Sequence, residues 1–195
     1  MGLDAPSLEE TAVKIFNVPN MLSLSRIFSV PVFIILMLEP TPGRALAAGI
    51  VFSLASATDW LDGYLARKWG QVTKMGKLLD PIADKILIMA ALVTLVEIRS
   101  EVVHAWIAIV IIGREFAVTG LRAIASSEGI IIPAETVGKY KVGAQIIAVL
   151  SLLLDYYLMD ARLRDLGAIA LWVAMVLSVY SAVQYFVKYW KQLDR

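Results

Sequence analysis

The sequence predicts an all-α integral membrane protein, six transmembrane helices preceded by a short amphipathic interfacial helix. Three observations predict it. Of the 195 residues, 59% are apolar and only 18% are charged, against about 25% charged in ordinary soluble domains. Mean hydropathy is +0.73, too apolar for a solvated disordered chain. The apolar residues also gather into six stretches, each near the ~20 residues that cross a bilayer as a helix. These stretches use up most of the chain, so the expected organisation is an interfacial helix over residues 1–20 and one six-helix membrane domain over residues 21–195.

The first element is read from Ser7 to Phe16. Ser7 followed by Glu10 has the spacing of a capping box, and Leu8, Ala12, Ile15 and Phe16 share one helical face. Asn17-Val18-Pro19-Asn20 breaks it. Its first charges, Asp4, Glu9 and Glu10, are acidic, unlike the basic start of a secretory leader. The six spans then run Leu22–Leu38, Ala45–Ala66, Leu78–Ile98, Val102–Ile124, Val137–Met159 and Leu166–Tyr189. The second, third and fourth are interrupted by ionisable residues. Asp155, Asp160, Arg162, Arg164 and Asp165 read as a solvated outer loop. His104 and most of the tryptophans fall near span ends, where interfacial residues belong.

Orientation follows from Lys and Arg. With the N-terminus in the cytoplasm, fourteen of them fall on that side and only Arg44, Arg99, Arg162 and Arg164 on the other, a positive-inside bias that puts both termini in the cytoplasm. Composition also excludes chemistry. There is no Cys and one His, so disulfides, thiolate metal sites and a histidine cage are ruled out. A net charge of +1 provides no basic field for nucleic acid.

The ionisable residues are therefore the informative ones. Asp59 and Asp62 lie near the cytoplasmic end of the second span, and Asp80 and Asp84 open the third. Spacings of three and four put each pair on one helical face, and the short connection makes the two helices antiparallel neighbours. A charged side chain at membrane depth costs at least ~2.5 kcal/mol, and like charges add to that. Divalent cations are the natural compensation, and an all-oxygen donor set favours Mg²⁺, Mn²⁺ or Ca²⁺. Four carboxylates suit two ions and displacement at phosphorus. Gly63, Ala66 and Gly76 permit close approach, and Arg67 offers a fork for a diphosphate.

The string Asp59-x-x-Asp62-Gly63-x-x-Ala66-Arg67, eight residues, Gly76-x-x-x-Asp80-x-x-x-Asp84 resembles the complete signature of the CDP-alcohol phosphotransferases. The resemblance implies a six-helix membrane enzyme of the bacterial cytoplasmic (inner) membrane, with its active site on the cytoplasmic side, and a homodimer. It implies that Asp59, Asp62 and Asp80 bind metal and the diphosphate of CDP-diacylglycerol, with Asp84 a metal neighbour and general base. It places Gly63, Ala66 and Gly76 around the cytidine and Arg67 near a phosphate. The metals implied are Mg²⁺ or Mn²⁺, two ions in number.

The acceptor is read from the fourth and fifth spans. Arg114 lies at membrane depth, Arg122 stands about 12 Å further along the helix, and Lys139 opens the next span. Arg114 beside Glu115 fits a structural ion pair. Two Arg with Lys139 beside an acidic metal site fit an anion pocket better, and a neutral alcohol would not need one. The block from Gly113 to Arg122, followed by Gly138-Lys139-x-Lys141, is similar to the bacterial branch of the family that makes phosphatidylglycerophosphate, as is Pro19 to Arg26. Ser23 and Val142 depart from it, each standing where Thr is common. That similarity implies glycerol 3-phosphate as acceptor, held by Arg114, Arg122 and Lys139, with Asn20 and Ser23 joining the CDP-diacylglycerol site. Inositol phosphate as acceptor, a membrane prenyltransferase and a divalent-cation carrier are the rival readings.

Overall fold

The computed structural model describes residues 18–69, 74–128 and 137–193, and leaves the side chains of residues 18–20, 59–69, 74–81, 84 and 193 undescribed. Six helices run through it and no strand is present among the described residues: α1 Val18–Leu38, α2 Pro42–Trp69, α3 Lys74–Ile98, α4 Ala105–Ser127, α5 Val137–Leu158 and α6 Ala161–Leu193. Each predicted apolar stretch coincides with one of them. The predicted interfacial helix over residues 1–20 falls almost wholly outside the described residues.

Three segments, Met21–Leu38 in α1, Val137–Leu158 in α5 and Ala161–Gln192 in α6, are long and apolar enough to cross a membrane. The other helices carry ionisable residues within their apolar stretches. Every 18-residue segment of α4 contains Arg114, Glu115 and Arg122, while α2 and α3 carry the four motif aspartates.

Local chemistry sets the helix ends. Pro19 is tolerated in the first turn of α1, where the missing N–H has no helical acceptor. At α2, Thr41 Oγ1 accepts the N–H of Arg44 at 3.3 Å, and Pro42 fits the first helical position. After α3 the chain turns with the N–H groups of Val102 and Val103 both donating to Arg99 O, at 2.9 and 2.8 Å. That turn delays α4 to Ala105, past the predicted Val102. Met159, at φ 53°, ends α5 in the left-handed region. Asp160 Oδ1 then accepts the N–H of Arg162 at 2.9 Å, so α6 starts at Ala161, well before the predicted Leu166.

α1 packs along both α2 and α3, α2 on α5, α5 along α6, and α6 on α4. α2 and α3 touch each other only narrowly, so α1 does more than their short connection to hold them together. The main core joins Phe33, Phe52, Leu87, Leu95, Ile107, Ile111, Leu152 and Leu171, with the Phe33 and Phe52 rings 6.2 Å apart. A smaller cluster of Val118, Leu121, Ala125 and Tyr185 ties the end of α4 to α6. α5 and α6 approach closely at Gly167, where an added Cβ would lie 2.7 Å from Leu152 Cγ. Leu152 is fully buried and cannot swing away, so the contact requires glycine. The outer face exposes Phe28, Ile35, Ile109 and Ile169, a surface suited to lipid and not to water.

One expectation is corrected. Asp155 does not belong to a solvated loop: it is 2% exposed and pairs with Arg99 across the bundle. Local sequence showed five charges around a turn, but not the cation that α3 delivers to one of them.

Candidate active site

The aspartate motif occupies two helix ends. Asp59, Asp62, Gly63, Ala66 and Arg67 lie on the last turns of α2, and Gly76, Asp80 and Asp84 on the first turns of α3. Both stretches are helical, so the spacings place Asp59 with Asp62, and Asp80 with Asp84, in register on one face each. Only four residues separate the ends Trp69 and Lys74, which brings both motif halves to the same end of the bundle. The side chains of these residues lie outside the described set, as does that of Asn20, and no group of three acids able to hold a metal occurs among the described residues.

α1 braces this end. Ser23 is fully buried and Arg26 is 1% exposed. Arg26 Nε donates to Ala55 O at 3.2 Å, one helical turn before Asp59. A buried guanidinium thus fixes α1 against the part of α2 that leads into the motif.

A second polar region runs between α3, α4, α5 and α6. Arg114 Nε donates to Ser178 O at 2.9 Å and Nη2 to Ser181 Oγ at 2.7 Å. Its Nη1 pairs with Glu115 Oε1 at 2.9 Å. The same Glu115 oxygen accepts from Lys141 Nζ, and Lys141 is buried. Thr119 Oγ1 donates to Glu115 O at 2.7 Å and accepts from Lys85 Nζ at 2.6 Å. Between these groups is a cavity of about 110 Å³ lined by Lys85, Ile88, Met89, Ile111, Ile112, Glu115, Lys141, Val142 and Gln145.

Of the predicted acceptor residues, Arg114 is in this region, but its guanidinium is tied to α6 and Glu115. The structure shows the ion pair of Arg114 with Glu115. Arg122 and Lys139 are exposed and make no contact with Arg114 among the described residues. Lys85, Gln145, Ser178 and Ser181 were missed as site residues, and Lys141 entered only through the block similarity. The buried face of α5 held a signal, because Lys141 and Gln145 sit one turn apart on a face continued by Ala148, Val149 and Leu152. Polar residues on a buried helix face need partners to offset their desolvation.

The opposite end of the bundle has its own ionic group. Arg99 pairs with Asp155 and, at 3.3 Å, with Glu101, and lies 4.9 Å from the Tyr156 ring centre. Tyr156 in turn donates to Pro40 O at 3.3 Å.

The chain as a whole is similar to known proteins. Residues 16–180 match the CDP-alcohol phosphatidyltransferase family, and the chain belongs to it. It is 45% identical to the CDP-diacylglycerol–glycerol-3-phosphate 3-phosphatidyltransferase of Bacillus subtilis, over 91% of this chain and 97% of that one. Proteins of the same name from Haemophilus influenzae and Rickettsia bellii are 37% and 36% identical, each over 87% of this chain and 91% and 93% of theirs. The protein is thus a transferase, not a prenyltransferase or a cation carrier.

Proposed function

We propose that the protein transfers the phosphatidyl group of CDP-diacylglycerol to glycerol 3-phosphate, giving phosphatidylglycerophosphate and CMP in phospholipid biosynthesis. The observation that carries this reading is the pairing of the complete aspartate motif on α2 and α3 with a buried cationic region on α4 and α5. The first suits a nucleotide diphosphate and the second an acceptor that is itself an anion. The names of the relatives agree with both.

The donor set at the α2 and α3 ends is four carboxylates with no nitrogen or sulfur among them, which fits Mg²⁺ or Mn²⁺. Asp59, Asp62, Asp80 and Asp84 would hold two ions, and bound metal supplies charge neutralisation at the diphosphate. Gly63, Ala66 and Gly76 admit the cytidine, Arg67 faces a phosphate, and Asn20 and Ser23 complete the CDP-diacylglycerol site. The acceptor hydroxyl oxygen bonds to the phosphorus that carries diacylglycerol, the bond from that phosphorus to the CMP oxygen breaks, and Asp84 takes the hydroxyl proton. Arg114 fixes the cationic region, while the exposed Arg122 and Lys139 draw the acceptor anion in from water. Charge spreads over phosphoryl oxygens in such a reaction, so positioning and electrostatics provide most of the acceleration.

In this reading all six helices cross the cytoplasmic membrane, residues 1–20 lie along its surface, and both termini and the motif face the cytoplasm. Two chains form a homodimer. The test is release of CMP from radiolabelled CDP-diacylglycerol by the purified protein in detergent. Release should require both glycerol 3-phosphate and Mg²⁺ or Mn²⁺. Release that inositol phosphate supports as well as glycerol 3-phosphate does would overturn the acceptor assignment.

A further inference from the structure

We propose that Arg26 is a positioning residue for the reaction: through its bond to Ala55 O it holds the α2 half of the aspartate motif in the geometry that captures the divalent ions. The inference rests on the reading of Asp59, Asp62, Asp80 and Asp84 as the metal site, and it names a side chain outside the motif on which that site depends.

Burial is the first argument. Ser23, Arg26, Val30, Phe33 and Met37 are the buried residues of α1 among those described. They stand three and four apart, so they form one stripe along the helix. Arg26 is the single charge on that stripe, and it is 1% exposed. Its guanidinium cannot shed its proton to ease burial, and an apolar side chain of similar length would pack there without the desolvation cost. Packing alone therefore does not account for an arginine at this place.

The second argument is where its bond falls. Arg26 Nε donates to Ala55 O at 3.2 Å, and Thr58 Oγ1 donates to the same oxygen at 2.7 Å. In helical register that oxygen also faces the N–H of Asp59, four residues and ~6 Å along α2. A carbonyl oxygen offers two lone pairs, so three donors converge on one acceptor at the turn that presents Asp59. Side-chain donors competing with the helical N–H bend a helix locally. Ala55 is buried, and water does not stand in for the guanidinium there. The direction in which α2 runs on to Asp59 and Asp62 is set at this carbonyl.

The packing of the helices gives that anchor its reach. α2 and α3 touch only narrowly, whereas α1 packs along both. The placement of one motif half relative to the other thus passes through α1, and Arg26 is the polar fastening of α1 to α2 next to the motif. Ser23 lies one turn from Arg26 on the same stripe, so the same anchor fixes it beside this end. Ions shared between carboxylates of two helices are sensitive to such support, and a misplacement of ~1 Å can cost about a hundredfold in rate.

The test uses the full chain in detergent with Arg26→Met and Arg26→Lys, each checked for wild-type elution and melting. Mn²⁺ binding is followed without substrate, by loss of the free-ion electron paramagnetic resonance signal, alongside kcat and both KM values. Arg26→Met should weaken Mn²⁺ binding about tenfold and lower kcat about a hundredfold, with KM for glycerol 3-phosphate within about twofold of wild type. Arg26→Lys keeps the charge but has no N–H at the Nε position, and should bind Mn²⁺ about threefold more weakly than wild type. A merely structural Arg26 would lower the melting temperature of Arg26→Met and leave Mn²⁺ binding and kcat of the folded protein unchanged, which would overturn the proposal. Wild-type Mn²⁺ binding by Arg26→Lys would overturn it as well, because charge and not the bond to Ala55 O would then matter. If Arg26→Met fails to fold, Arg26→Lys decides. A wild-type protein that takes up no Mn²⁺ contradicts the metal reading itself. Arg26-dependent uptake by a protein that does not use glycerol 3-phosphate contradicts only the acceptor assignment.

Discussion

Two ionic groups in this helix bundle, one at the end where α3 and α5 finish and one in mid-bundle between α3, α4 and α5, are built on opposite rules. At one end Arg99 faces two carboxylates, Asp155 and Glu101, and covers the Tyr156 ring. Its charge is matched, and the chain turn after α3, the end of α5 and Pro40 before α2 are joined through it. In mid-bundle Arg114, Lys141 and Lys85 share Glu115 and a threonine hydroxyl. The first is a closed lock. The second sets two buried cations, Arg114 and Lys141, and the half-buried Lys85 around one carboxylate among the described residues. Both bury charge in an apolar setting, so burial alone does not separate a structural ion pair from a binding region. Charge balance does.

The comparison can be broken at several points. The largest effect belongs to neither cluster. Asp80→Asn should lower CMP release by about a thousandfold, because a group that stabilises charge in the transition state is lost, while circular dichroism and melting stay close to wild type. Near-native turnover would contradict the metal role of the motif.

Next comes the same chemical change made at each end. Asp155→Asn leaves Arg99 short of its buried partner and should cost about 3 kcal/mol of stability, since breaking a buried pair strands a charge. Thermal melting in detergent measures this, and kcat/KM for both substrates should hold. Glu115→Gln should cost a comparable amount, and in addition raise KM for glycerol 3-phosphate, because Lys141 loses the carboxylate that places it. Equal losses of activity in the two variants would erase the distinction between lock and site.

The smallest effect tests the approach path. Arg122→Ala should raise KM for glycerol 3-phosphate roughly threefold at low ionic strength and hardly change KM for CDP-diacylglycerol. The difference should shrink as salt is added, because exposed charges are screened beyond ~8–10 Å. A salt-independent effect of the same size would place Arg122 in direct contact with the acceptor.

Much of this was legible in the sequence because it is local. Hydropathy over about 20 residues marks a helix wherever it lies in the fold, and all six helices fall on the stretches it marked. Spacings of three and four fix helical register without any tertiary knowledge, so the motif aspartates could be assigned to two helix ends. Element ends were less legible, since the start of α6 depends on Asp160 accepting one backbone N–H.

The sequence by itself determined the helical class, the stretches that become helices, and the family, which rests on the aspartate spacing. The tertiary structure alone decided which charges meet. Arg99 and Asp155 are 56 residues apart, Glu115 and Lys141 are 26 apart, and Arg114 reaches 67 residues along the chain to Ser181. Periodicity reports which face of a helix a residue occupies, but not which helix packs against that face. Neutralisation of a buried charge depends on the second, so the pairing of each buried charge emerges only when the helices are assembled.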